Sequence, residues 1–478
     1  MLKGTMKIEL TDIRTGQTNT VLEQNMVTDA LSDFFRPLGL AKSPAKYLNG
    51  FAPYYQKPLG GLLLFDGQIE ENAGRYYPPA NVNLVGCAAY NAQNNTTGKK
   101  RGGYNQTESE LNLTERYMKY VYDFATSQAN GTISCVCLTH RNGGYTSYGA
   151  EDAVFLSDCP LMIQVDDGTL QYVYNNASSG GNDYTGANTG DKTTGFTLGR
   201  TELLFAIDRN TDLAYYFRFD SGSEGTIISR RAYLRNVSVL ENPYKQKALV
   251  DEVPITGLNV SGRNAYCFDP AANSLYLFGA DNSQTKAGDT FRIAKIELGT
   301  WKVTTYTMTN TADVPLYTDG LRYAFAHNGF VYIRSYSSPY TIYKFEIGNP
   351  ANVAAIKNCN IPIGSFYPQF ACNGRIYYEG TYTKNSSTYY GLLVLNEETN
   401  EFLKLENWYL AYSSSYSYQC CFTPVIGEPM LYFVSRGNKA AYGFYLLTNY
   451  LATINNLSES VTKTADKTMK ITYIIQEQ

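Results

Sequence analysis

The side chains able to act as acids, bases or ligands are few and scattered in this sequence. There are only two histidines. His140, in Leu138-Thr139-His140-Arg141-Asn142-Gly143-Gly144, follows an apolar segment and precedes a glycine turn, a place where an imidazole can serve as general base. No nucleophile or carboxylate partner accompanies it, so it reads as an ordinary loop histidine. His327, in Ala326-His327-Asn328-Gly329, belongs to a turn that recurs along the chain, and a structural hydrogen bond accounts for it. Asp319, Glu379 and Glu397 are candidate carboxylates for glycoside hydrolysis, which needs two such groups flanking one bond. Their sequence positions bring no two of them together. Asp166-Asp167-Gly168 and the segment 281–289 could attract calcium, but neither has the D-x-[DN]-x-[DN]-G spacing, and both read as turns.

Other catalytic hardware is missing from the text of the chain. The two tryptophans, Trp301 and Trp408, sit in no Ser-x-Asp-x-Gly-x-x-Trp box of the kind that sialidases repeat, and there is no phosphate-binding loop or dinucleotide fingerprint. The expectation is a protein that is not an enzyme, with no catalytic, metal or cofactor residues to assign. A glycan-cleaving enzyme stays open as an alternative.

Nine cysteines, Cys87, Cys135, Cys137, Cys159, Cys267, Cys359, Cys372, Cys420 and Cys421, include no C-x-x-C pair. They read as buried free thiols of a chain folded in a reducing compartment. Cys135 and Cys137 would share one face of a strand. Net charge is −3, and no basic run exceeds Lys99-Lys100-Arg101, which reads as a solvated loop beside Gly102-Gly103. Nucleic acid and anionic membrane are therefore not expected partners. The N-terminal residues lack an apolar signal core, and no run of apolar residues is long enough to span a bilayer.

Binding chemistry is better represented. Segments 172–194, 335–340, 382–390 and 409–418 are rich in Tyr, Asn, Gly and Ser. Tyrosine brings a rigid apolar face and a hydroxyl at small entropic cost, which suits a contact surface. For any one of these tyrosines, packing between blades is the favoured reading.

The elements that must position such loops are strands. The chain has 43 tyrosines, 22 phenylalanines and 40 glycines, with only 17% charged residues, a composition suited to pleated sheets and tight turns. From about residue 160 one unit recurs roughly every fifty residues, a turn pair followed by Tyr in an apolar strand. It carries Tyr172, Tyr215, Tyr276, Tyr332 and Tyr377, with a degenerate copy at Tyr432. Four short strands per unit make a propeller blade, which can bury both faces only against its neighbours. The fold class expected is all-β, a β-propeller of about six blades at residues 156–457.

Ahead of it, residues 1–155 read as a β-rich domain. Met6 to Ile13 and Thr18 to Glu23 form a hairpin around Arg14-Thr15-Gly16-Gln17, and one short helix near 28–36 is capped by Thr28. The run Gly60 to Asp66 reads as a strand covered on both faces. Residues 113–126 and 133–138 read as hairpin partners across Asn130-Gly131. Residues 458–478 repeat the opening text, Thr468-Met469-Lys470-Ile471 against Thr5-Met6-Lys7-Ile8, and are expected to return as a strand of the N-terminal domain.

Several of these segments carry a resemblance. Gly4 to Asp12, Gln24 to Leu31, Gly60 to Asp66, Met118 to Phe124, Cys135 to Gly144 and Val461 to Tyr473 resemble virion proteins of tailed bacteriophages of gut bacteria. The likeness covers about the first 150 residues and the last 20 and includes no catalytic signature. It implies a virion structural protein, a tail or fibre component that presents the propeller to a host-surface glycan or protein. Its partners would be other virion proteins and further copies of itself. A purely architectural place in tail, neck or capsid decoration is the alternative. The resemblance carries over no binding residue.

Overall fold

The structure is a computed structural model. It describes residues 2–31, 59–79, 81–90, 99–141, 162–166, 203–208, 210–211, 213–219, 226–232, 249–258, 266–279, 284–317, 324–337, 340–361, 366–384, 387–406, 422–427, 432–435 and 444–477.

Alternation near the N-terminus produces the expected hairpin. Leu2–Asp12 pairs with Thr18–Val27, and Gly16 takes φ +73° at the turn. Met6, Ile8 and Leu10 share one face and are buried. The other edge of Leu2–Asp12 pairs antiparallel with Lys467–Glu477, setting Ile8 opposite Ile471 and Leu10 opposite Met469. The repeated text at the two ends is thus the two halves of one ladder. Tyr117–Phe124 adds to the far side of Lys467–Glu477. In the opposite direction the sheet continues from Thr18–Val27 through Thr453–Lys463 and Gly131–Thr139 to Gly61–Phe65 and Leu84–Ala88. Gly61–Phe65 is buried along its whole length, as a continuous apolar run demands.

This sheet closes on itself. The Cys87 amide donates to the Lys100 carbonyl at 3.0 Å and the Gly102 amide to the Cys87 carbonyl at 2.9 Å. Directly after, Gly103 and Tyr104 pair with Asp123 and Tyr122 on the opposite edge. The segment 99–104 therefore stitches the two edges into a barrel, which removes exposed edge strands. Lys99 is exposed, as a solvated loop requires, but Arg101 is buried, which corrects that reading at the end of the triplet. A basic triplet suggests solvent, but its backbone is what the two free edges require. Inside the barrel the Tyr122 hydroxyl donates to the Gly60 carbonyl at 3.1 Å, and that of Tyr473 to Thr453 Oγ1 at 2.8 Å.

One local expectation fails here. Gly131–Thr139 pairs with Gly61–Phe65 and Thr453–Lys463, not with the preceding Tyr117–Phe124. The Asn130-Gly131 turn does not make a hairpin because C-terminal strands occupy the neighbouring edges. Thr28 precedes the helical residues 29–31, and the rest of the expected helix lies outside the described residues. Its hydroxyl donates to the carbonyls of Leu451 (2.6 Å) and Ala452 (3.1 Å), tying the segment to the C-terminal part of the chain.

The middle of the chain is a β-propeller. Five four-stranded antiparallel sheets follow one another. Blade 1 comprises Leu203–Asp208, Leu213–Phe219, Thr226–Ala232 and Leu249–Ile255. Blade 2 comprises Tyr266–Asp269, Ser274–Gly279, Thr290–Glu297 and Val303–Thr309. Blade 3 comprises Ala324–His327, Phe330–Arg334, Tyr340–Glu346 and Asn349–Ile361. Blade 4 comprises Phe366–Cys372, Arg375–Lys384, Ser387–Asn396 and Glu401–Glu406. Blade 5 comprises Phe422–Pro424, Tyr432–Ser435, Phe444–Leu447 and, as its outer strand, the distant Met162–Asp166. The first propeller strand thus completes the last blade and fastens the ring.

The first strands of the five blades line the axis, each beside the next, and that of blade 5 returns to that of blade 1. There the Ile426 amide donates to the Ile207 carbonyl at 2.9 Å. The described residues thus hold five blades, one fewer than the six units counted in the sequence. The unit at Tyr172 lies outside the described residues, immediately after the strand that closes blade 5. The other five tyrosines each mark a second strand, and Tyr215, Tyr276, Tyr332 and Tyr377 are buried. The turns before them use the left-handed region, with Asn328 and Gly329 at φ +51° and +79° and Asn373 and Gly374 at +50° and +69°. This is the tight hairpin turn that Asn-Gly predicts.

Candidate functional site

Chain direction divides the propeller into two faces. First strands end, and third strands end, on one face with short turns. Second strands end on the opposite face, where longer loops run. The barrel sits on the turn face. Arg375 Nη1 donates to the Pro78 carbonyl at 3.1 Å, and Asn373 Nδ2 donates to the same oxygen. The Leu451 amide donates to the Tyr76 carbonyl at 2.6 Å. One apolar core runs from Met6 and Leu64 in the barrel to Phe370, Phe433 and Leu446 in blades 4 and 5. A cleft of 380 Å³ opens at this junction between residues 72–77 and Cys372-Asn373.

His327 and Glu397, apart in the sequence, meet on the turn face. His327 Nδ1 lies 3.3 Å from Asp269 Oδ1 and Nε2 lies 3.6 Å from Glu397 Oε2. The three groups come from blades 2, 3 and 4. Burial alone would discharge the imidazole, but the Asp269 hydrogen bond and the charges of Glu397 and Asp269 outweigh it and raise the His327 pKa. Asp269 Oδ2 also accepts the Asn328 amide at 3.1 Å, and Glu397 Oε1 accepts the Tyr332 hydroxyl at 2.8 Å. Two carboxylates flanking an imidazole could in principle move a proton. Here Asp269 has no side-chain exposure and the other two have 10% and 9%. The network spends its hydrogen bonds on joining blades, which is the structural role expected for His327. Asp269 was absent from the sequence candidates; its place four residues before the Asn273-Ser274-Leu275-Tyr276 unit was the available signal.

The remaining candidates do not assemble. His140 is buried beyond the end of Gly131–Thr139, and burial, with Arg141 beside it, pulls its pKa down to about 3. It follows the strand as expected of a loop histidine, but it is buried and so poorly placed to act as a base. Glu379 lies in a strand of blade 4 opposite Tyr367 and Leu392. Asp319, Asp167, Gly168 and residues 281–283 lie outside the described residues. Asp289 Oδ2 accepts the Lys286 amide at 2.9 Å, a turn contact. Among the described residues no group of three His, Cys, Asp or Glu side chains could hold a metal. Cys87, Cys135, Cys137, Cys267 and Cys372 are buried thiols, with Cys135 Sγ 3.6 Å from Cys137 Sγ.

The loop face carries a different arrangement. Segment 335–340 links the second and third strands of blade 3, and segment 382–390 does so in blade 4. The strand ends flanking 172–194 and 409–418, Asp166 with Leu203 and Glu406 with Phe422, also lie on this face. The side chains of these two segments and of 382–390 lie outside the described residues. In segment 335–340 and beside it, planar groups are piled in series. The Arg334 guanidinium sits 4.1 Å from the Tyr340 ring centroid and 5.0 Å from that of Tyr317. Tyr317 in turn stacks on Tyr336, with centroids 5.4 Å apart and planes at 17°. Arg334 is buried, Tyr317 and Tyr340 are half-buried, and Tyr336 is exposed. The backbone holds the pile. The Tyr336 amide donates to the Pro315 carbonyl at 2.8 Å, and the Ser335 hydroxyl accepts the Thr341 amide at 2.9 Å.

No protein-family model matches this chain. No curated protein matches it either. Among solved structures the chain is similar to the β-propeller domain of the Trilobed protease from Pyrococcus furiosus, described as having an open velcro topology. The identity is 10% and the TM-score 0.27, over 61% of this chain and 67% of that one.

Proposed function

We propose that this protein is a non-catalytic structural component of a bacteriophage virion, a tail or fibre protein that displays its propeller to the host surface. The arrangement that supports this reading is the separation of the two propeller faces. The barrel, which holds both ends of the described chain, covers the turn face, and segment 335–340 and the strand ends flanking the other tyrosine-rich segments lie on the opposite face. A platform with one face anchored and one face free suits attachment on one side and recognition on the other. The resemblance of the barrel segments to phage virion proteins supplies the setting. The barrel would join the chain to other virion proteins or to sister copies, and the loop face would meet a cell-surface glycan or protein.

The test is to incubate purified protein with gut bacterial cells and with their isolated wall polysaccharide. Saturable retention by either supports display. Retention by neither, together with incorporation into particles, would assign a purely architectural place instead.

A further inference from the structure

We infer that the Tyr340–Arg334–Tyr317–Tyr336 stack is a preformed sugar-binding subsite whose contact surface is the outer face of the Tyr336 ring, taking a neutral pyranose unit of a polysaccharide. This rests on the display reading above and names its ligand class.

The stack is rigid before any ligand arrives. Tyr317 belongs to the short strand Leu316–Tyr317, which pairs with Gln284–Thr285, and Leu316 also bridges to Ser335. The Ser335 amide donates to the Thr341 carbonyl at 2.7 Å, and the Ser335 hydroxyl donates to that of Ser337 at 3.2 Å. Asn310 Nδ2 braces the adjoining loop through the Thr285 carbonyl (2.8 Å) and the Val314 carbonyl (3.0 Å). Holding a ring in place beforehand removes the ordering cost that contact would otherwise carry. Arg334 behind Tyr317 explains why the pile stands on a buried cation without collapsing into the blade.

The size of the exposed Tyr336 ring suits the ligand. Among the described residues, the exposed large hydrophobic side chains are Ile13, Leu22, Leu111, Leu113, Val250 and Tyr336, and only Tyr336 lies on the loop face. A stable protein interface buries about 800 Å² on each side, far more than one tyrosine ring provides. The C–H face of a single pyranose matches one aromatic ring in area, and the ring hydroxyl and the exposed Ser337 can serve its hydroxyl groups.

The experiment titrates the full-length protein with soluble β-linked glucose oligomers and galactose oligomers, read by tyrosine fluorescence. Saturable binding to at least one series is expected. Tyr336→Ala should weaken it at least about tenfold, whereas Tyr336→Phe and Tyr336→Trp, which keep a ring, should retain it. Unchanged affinity in Tyr336→Ala, or no binding of either series by the native protein, overturns the inference. Cell retention separates the two readings. If native protein and Tyr336→Ala adhere equally to cells, display stands and the stack is not its subsite; if native protein adheres to neither cells nor oligomers, both fall.

Discussion

His327 on blade 3 is held within 3.3 Å of Asp269 on blade 2, while its other ring nitrogen faces Glu397 on blade 4 at 3.6 Å. The imidazole at this junction joins three blades. Its folded pKa lies above the ordinary value of 6.5. The unfolded chain therefore releases this proton at lower pH than the folded one, and the stabilisation is complete below about pH 6.5. It is lost as pH rises through the folded value. Urea midpoints of the native protein should fall across that window. In His327→Gln the fall should be absent, with a loss of about 1.5–3 kcal/mol at low pH. Parallel pH profiles for the two proteins would refute a charged junction.

Lys463 tests the barrel. Its ammonium donates to the Ala125 carbonyl (2.9 Å), the Thr126 carbonyl (3.3 Å) and Asn130 Oδ1 (2.8 Å). These acceptors lie in the connection that leads from Tyr117–Phe124 to Gly131–Thr139 without a hairpin. Lys463→Met preserves the length of the side chain and removes all three donors. A loss of about 2–3 kcal/mol is expected in thermal or denaturant unfolding. A neutral substitution would show that the connection holds itself.

Gly102 is the contact point of barrel closure. A β-carbon there would lie 2.6 Å from Phe124 Cδ1 and 2.8 Å from the Asp123 carbonyl oxygen. Gly102→Ala should cost about 1–3 kcal/mol by forcing the closing segment off its edge. Gly16→Ala is the control, because its β-carbon meets nothing within 4 Å and only its φ of +73° is strained. That change should cost about 1 kcal/mol. Equal melting temperatures for the two variants would argue against closure through residue 102.

Thiol labelling tests the packing. Burial pushes the Cys372 thiol up to about 12, and Cys137 is raised well above its usual value by burial and by Cys135. Native protein treated with iodoacetamide near neutral pH should leave Cys87, Cys135, Cys137, Cys267 and Cys372 unmodified by peptide mass spectrometry. All five should react after denaturation. Fast native labelling of Cys372 would place it at an open mouth of the junction cleft.

Much of the local architecture was legible from residue order. Alternation placed Met6, Ile8 and Leu10 on one face, Asn328-Gly329 and Asn373-Gly374 made the turns they favour, and Tyr276, Tyr332 and Tyr377 marked the second strand of each unit. These are short-range effects of side-chain alternation and turn stereochemistry, so a few neighbouring residues suffice to specify them. The repeated text at the two ends also announced their pairing.

Tertiary structure decided the rest. The closure of blade 5 depended on Met162–Asp166 joining Phe444–Leu447, a pairing between segments remote in sequence that no local repeat announces. Lys99-Lys100-Arg101 became part of a barrel wall because two distant edges needed a backbone between them. Asp269, His327 and Glu397 became neighbours only when three blades closed around one axis. Hydrogen-bond partners at long range are selected by which edges and faces remain unsatisfied after local structure forms, and that competition belongs to the whole chain.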